Sequence, residues 1–251
     1  MTRRTPEAER YRTLDAGKIV DTIDRLKLRI EERFPTASLS RVAKELSEIA
    51  GESMARVDII EERNIPLRLM VGVLVCAAGW LLTKIVPFVD FSKTNADNIY
   101  TVLQGVEASM NILVLTGALM LFLFTVEERL KRKRALKALH ELRSIVHVID
   151  MHQLTKDPSI VTAALPPTEH SPQRTLTTAE LVRYLDYCSE MLSLTSKVAA
   201  LYAQSLPDAV VTDAVADIER LTTNLSQKVW QKIMIMENET LLREKRAPGQ
   251  L

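Results

Sequence analysis

The sequence predicts an all-α membrane protein: a two-span transmembrane helical hairpin with a cytoplasmic helical bundle, formed by N-terminal helices, the extended second-span helix and a C-terminal helix pair. Three observations carry this prediction. Glycine is scarce (7 of 251 residues) and aromatics make up 5%, while Leu, Ala, Glu, Lys and Arg abound; such unbranched side chains lose little rotamer freedom in a helix. Two stretches carry no charge, LMVGVLVCAAGWLLT over residues 69–83 and MNILVLTGALMLFLFTV over residues 110–126. Outside them, apolar residues recur at helical spacing.

Residues 1–14 read as a disordered N-terminus, followed over 15–65 by two cytoplasmic helices. Asp15 caps the first, whose stripe is Ile19, Val20, Ile23, Leu26, Ile30 and Phe34, and Pro35 ends it. The second starts near Ser38 or Ser40 and carries Leu39, Val42, Leu46, Ile49, Met54, Val57 and Ile60. Pro66 opens the first span, 66–89, in which the apolar run continues past Lys84 to reach the ~20 residues that a bilayer crossing needs. An external loop over 90–107 leads to the second span, 108–126, and its cytoplasmic extension, 127–157. No breaker intervenes before Pro158, so one helix is expected from about Asp97 or Ala108 to near Lys156, roughly 70 to 90 Å at ~1.5 Å per residue. It must project beyond the membrane.

Pro158, Pro166, Pro167 and Pro172 mark a linker over 158–176. The C-terminal helical pair follows over 177–246, its first helix capped by Thr177 or Thr178 with Glu180 behind, its second by Asp208 after Pro207. The first stripe runs Leu181, Tyr184/Leu185, Cys188, Met191/Leu192, Thr195, Val198/Ala199 and Tyr202, close to a heptad rhythm. The second runs Ala214, Ile218, Leu221, Leu225, Val229, Ile233 and Met236, and the basic end at 243–246 is expected to fray. Each stripe leaves an apolar face that a partner helix must cover, and periodicity leaves open whether that partner belongs to the same chain.

Charge sets the topology. Arg129, Lys131, Arg132, Lys133, Arg134 and Lys137 follow the second span, whereas the connecting loop has Lys93 against Asp90, Asp97 and Glu107. By the positive-inside rule both termini are cytoplasmic, and the basic run also suits anionic lipid headgroups. Trp80, Phe88, Phe91 and Tyr100 gather at the loop side, where amphipathic rings favour the interface. With charged sequence preceding Arg68, the first span is expected to act as its own insertion signal.

Chemical signals are few. A formal charge of +1 argues against a nucleic-acid binder. Cys76 and Cys188 fall on opposite sides of the topology and cannot pair within one chain. No phosphate loop, dinucleotide fingerprint, HExxH or nucleophile elbow occurs, and no cofactor, metal or catalytic residue is expected. Three of the four histidines lie in HELRSIVHVIDMH, 140–152. His140 and His147 nearly eclipse one another and face away from the stripe Leu139, Leu142, Ile145, Val146 and Ile149; their seven-residue spacing, ~10.5 Å along the axis, is too long for one metal ion. With Asp150 they form at most a pH-sensitive polar face.

Within the membrane, Gly72, Cys76, Gly79 and Thr83 make a small-residue face for close helix packing, and Asn111 is a polar contact near the outer interface. Unsatisfied stripes without catalytic motifs lead to an expectation of a membrane-anchored helical scaffold, homo-oligomeric, meeting membrane lipids and a cytoplasmic protein partner at a bacterial inner membrane. The competing expectation is an oligomeric pore, channel or membrane-disrupting effector gated by the cytoplasmic bundle.

Overall fold

The computed structural model of the chain describes residues 12–61, 65–85, 96–156, 169–170 and 176–246. It contains six helices: α1 (Ala16–Arg33), α2 (Ser38–Glu61), α3 (Ile65–Ile85), α4 (Ala96–Leu154), α5 (Thr178–Ser205) and α6 (Ala209–Arg246). No strand occurs among the described residues. Two compact units emerge, one of Met1–Glu61 with Arg134–Leu251, the other of Glu62–Lys133.

In the first unit, local signals fix the helix ends. Asp15 caps α1 by accepting from the Lys18 amide at 3.1 Å, which satisfies one of the donors a helix N-terminus leaves free. The Phe34 amide closes the last turn on the Ile30 carbonyl, and the Ser40 hydroxyl donates to the Phe34 carbonyl at 2.7 Å, tying α2 to the end of α1. Thr177 makes a full capping box with Glu180 at the start of α5. Asp208 accepts from the Val210 and Val211 amides at 3.0 and 3.2 Å and so starts α6. Leu14, assigned above to the disordered terminus, is instead held at both its amide and carbonyl by the Gln204 side chain.

The stripes then meet. Ile19, Ile23, Leu26 and Ile30 of α1, Leu39, Val42 and Leu46 of α2, and Leu139, Leu142, Val146 and Ile149 of α4 join one core with α5 and α6. Each fully buried aliphatic side chain contributes ~1.5–3 kcal/mol of transfer free energy. Helix α5 lies at the centre, packed on α1, α2 and α6. Its predicted stripe is buried, and so is a second heptad row, Tyr187, Leu194 and Leu201, which is why it can face several partners at once. Phe34 packs edge-on against Tyr184 and Tyr187, with ring centroids 5.6 and 6.2 Å away. At the other side, Lys232 of α6 donates to the carbonyl and side-chain oxygens of buried Gln153, both at 2.8 Å, and so ties α6 to the end of α4. The bundle core therefore closes within a single chain.

The second unit consists of α3 and the part of α4 up to Lys133. Its apolar side chains point outward: Leu113, Val114, Leu115, Leu121 and Phe122 are all more than 60% exposed. The stretch Leu103–Leu154 contains a window long and apolar enough to cross a membrane. The apolar run within α3, Leu69–Leu81, is shorter, ~20 Å at 1.5 Å per residue against a ~30 Å hydrocarbon layer. Hydroxyls here bond back to their own helix, Ser109 to the Gly105 carbonyl and Thr125 to the Leu121 carbonyl, both at 2.8 Å.

Two assigned boundaries shift. Residues 96–107, expected in the external loop, are helical and extend α4 to the earlier of its two predicted starts; the segment has no proline, and a single glycine, Gly105, is tolerated inside a helix. Helix α6 continues through Arg246, where fraying was expected. The linker lies outside the described residues except for 169–170 and 176, as do positions 86–95 of the first span and loop.

Candidate functional site

The sequence yields no catalytic motif, so the site must be sought in what the bundle leaves open to solvent. A cleft of about 450 Å³ runs between α2 and the part of α4 around residues 140–148. Helix geometry sets its walls: Glu45, Glu48, Glu52 and Arg56 stand on one side of α2 at spacings of three to four residues, beside Ile49. From α4 come His140, Glu141 and Ser144, with Ile145 and Val148 as the apolar floor.

Arg56 organises this surface. Its guanidinium donates to Glu141 across the cleft at 2.6 Å and to Glu52, one turn back on its own helix, at 2.7 Å. The Glu141 partner holds the guanidinium pKa above its usual value against the opposing effect of burial. Beneath it, the hydroxyls of Ser53 and Tyr202 are fully buried and lie close to one another and to Arg56 without the alignment of a regular hydrogen bond. Burial pushes the Tyr202 phenol up, so it stays protonated. Ser144 donates to the His140 carbonyl at 3.0 Å, back onto its own helix. Glu45 and Glu48 remain exposed at the rim. The cleft thus presents carboxylates beside an apolar floor, a surface suited to a cationic group on an apolar stem.

The predicted polar face is only partly assembled there. His140 and His147 are both exposed, on the side of α4 away from the core, and His140 lines the cleft. Asp150 instead accepts from Gln153 Nε2 at 2.6 Å, within the network that reaches Lys232. His152 Nδ1 donates to the Val148 carbonyl at 2.8 Å. Among the described residues no group of three or more His, Cys, Asp or Glu side chains could hold a metal ion. Cys188 is buried, and its thiol is pushed up to about 12 by desolvation, so it is unreactive in the folded bundle.

Of the residues expected to pack within the membrane, Gly72 and Gly79 face open space where a larger residue would carry its Cβ, and Cys76 and Asn111 are exposed. Thr83 donates to the Trp80 carbonyl at 2.7 Å, and the Lys84 ammonium lies 5.7 Å from the Trp80 ring centroid. In the basic run, Arg129 and Lys133 are exposed, Arg132 is half-buried, and Lys131 pairs with Glu127 at 3.4 Å. Arg134 belongs to the first unit, where with Lys137, Arg56, Ile59 and Ile60 it lines a second cleft of about 430 Å³.

Sequence reasoning missed the Arg56 cluster. The spacing of Glu52 and Arg56 by four residues was a visible clue to the pair on α2. Nothing local pointed to Glu141, which meets Arg56 only when α4 packs beside α2. No protein-family profile, curated protein or solved structure matches this chain.

Proposed function

We propose that this chain is a membrane-anchored helical interaction module, homo-oligomeric and without catalytic activity of its own, that holds its bundle at the inner face of a bacterial cytoplasmic membrane. The observation that carries this reading is the outward display of Leu113, Val114, Leu115, Leu121 and Phe122 around an uncharged stretch of α4, which in water would expose a large continuous apolar surface. A bilayer removes that cost. The uncharged run over 69–83 pairs with it as the first arm of a two-span hairpin, and the basic side chains over 129–134 favour cytoplasmic termini and anionic headgroups. The open small-residue face of Gly72 and Gly79 suits a close helix contact in the bilayer. In the bundle, the carboxylate-lined cleft beside Arg56 suits a basic segment of a cytoplasmic protein partner.

The test is a membrane extraction followed by a mass determination. The full chain, expressed in bacterial cells, is expected to resist alkaline carbonate extraction and to give by light scattering, after correction for bound detergent, a mass of two or more chains. Release by carbonate would overturn the anchoring, and a strictly monomeric mass would overturn the homo-oligomer.

A further inference from the structure

Along the seam between α2 and α4 the sign of the charge changes at Arg56, which borders both clefts. On one side of it stand Glu45, Glu48, Glu52 and Glu141. On the other, a cleft of about 430 Å³ is lined by Arg134 and Lys137 of α4 and by Ile59 and Ile60 of α2, and among the described residues no carboxylate lines it. Arg134 and Lys137 lie within ~60° of one another around α4, with Glu141, the partner of Arg56, between them, so both are turned toward α2.

These two cations lack the partners that others in the bundle have. Lys27, Arg29 and Arg183 each meet a carboxylate within 3.0 Å. Arg134 and Lys137 are exposed and pair with no carboxylate among the described residues. Arg56 is largely neutralised by Glu141 and Glu52, so the uncompensated charge of the cleft is that of Arg134 and Lys137. Beside them Ile60 is buried and Ile59 is 55% exposed, an apolar step at the edge of a cationic pocket. A phosphate ester matches that combination: its oxygens can take a guanidinium and an ammonium at once, and its carbon stem can lie on Ile59.

Chain connectivity selects the source of the phosphate. Ile60 comes five residues before Ile65, where α3 starts, and Arg134 eight residues after Val126, the end of the uncharged run. Both connections to the proposed hairpin therefore leave from the walls of this cleft. Side chains on a helix lean toward its N-terminus, so Arg134 and Lys137 reach back along α4 in the direction of that run. A pocket tethered in this way meets lipid headgroups at high effective concentration.

We propose that Arg134, Lys137 and Ile59 form a binding site for the headgroup phosphate of an anionic phospholipid, with Arg56 as its back wall. The proposal rests on the membrane-anchored reading and deepens it: the basic run attracts an anionic surface as a whole, whereas this cleft holds one headgroup.

The experiment titrates the full chain in a neutral detergent with phosphatidylglycerol and counts bound lipid by native mass spectrometry, with phosphatidylcholine and inorganic phosphate as comparison probes. Phosphatidylglycerol is expected to be retained in preference to phosphatidylcholine. Arg134→Gln and Lys137→Gln should each weaken its binding about fivefold, and Arg129→Gln less than about twofold. Arg129 carries the same charge closer to the uncharged run but does not line the cleft, so diffuse attraction predicts the reverse order. All three side chains are exposed, and circular dichroism should show unchanged helix content. An effect of Arg129→Gln equal to or larger than that of Arg134→Gln, or equal retention of the two lipids, would overturn the site. Displacement of phosphatidylglycerol by an equal concentration of inorganic phosphate would overturn the lipid as the source. Release of the chain by carbonate removes the anchoring and this site together; an anchored chain without preference for phosphatidylglycerol removes the site alone.

Discussion

Residues 103–126 and 135–149 belong to the same helix, α4, and solve opposite burial problems. In the first stretch apolar side chains surround the axis, and most are exposed to whatever surrounds the protein. In the second, Ala135, Ala138, Leu139, Leu142, Ile145, Val146 and Ile149 are buried on one face, while His140, Arg143, Ser144 and His147 are exposed on the other. Backbone hydrogen bonding is the same in both. What differs is the solvent for which each surface is built: a helix apolar all round matches lipid, and one with a single stripe matches a protein core edged by water.

Substitutions in the two stretches should therefore report on different equilibria. The largest effect is expected from Leu142→Ala, which opens a cavity at a fully buried position and should destabilise the bundle by ~2–5 kcal/mol in chemical denaturation of the detergent-solubilised chain. The matching Leu115→Ala, at a 68% exposed position, should leave that transition unmoved. Leu115→Arg inverts the comparison, weakening membrane insertion by ~3 kcal/mol in an insertion-reporter assay with little change in bundle unfolding. If Leu115→Arg unfolds the bundle instead, the two halves of α4 are not energetically separate.

Smaller effects sharpen the picture on the bundle side. Glu141→Gln removes the cross-helix partner of Arg56 and should cost about 0.5–1 kcal/mol, a modest figure because both side chains are about one-third exposed. A double-mutant cycle with Arg56→Met isolates that coupling. The smallest effect concerns Asp24, whose carboxyl pKa is lowered first by the Ser47 hydroxyl, which donates to it at 2.5 Å, and then by Lys27. A depressed carboxyl pKa contributes stability above the usual aspartate value of 3.8 and loses it as pH falls through the folded value. Ser47→Ala should raise the Asp24 pKa in an NMR titration, and its stability deficit should be present at neutral pH and fade below pH ~4.

Helices, caps and stripes were legible in the sequence because they depend on neighbours three or four residues away. Asp15, Thr177 and Asp208 cap the predicted helices, and the rows from Ile19 to Ile30 and from Leu139 to Ile149 are buried as their spacing requires. The uncharged stretch in α4 was legible for the same reason, since a membrane-compatible helix is defined by composition alone. Tertiary packing decided what sits at the centre and what remains open. Only the assembled bundle gives α5 a second buried row at Tyr187, Leu194 and Leu201, brings Glu141 to Arg56, draws Asp150 into the Gln153–Lys232 network, and leaves Trp230 and Met234 uncovered. Periodicity tells a residue which side of its own helix it occupies; which helix stands opposite depends on contacts between residues from 23 to 190 positions apart, as in Asp24 with Ser47 or Leu14 with Gln204, and no local pattern encodes them.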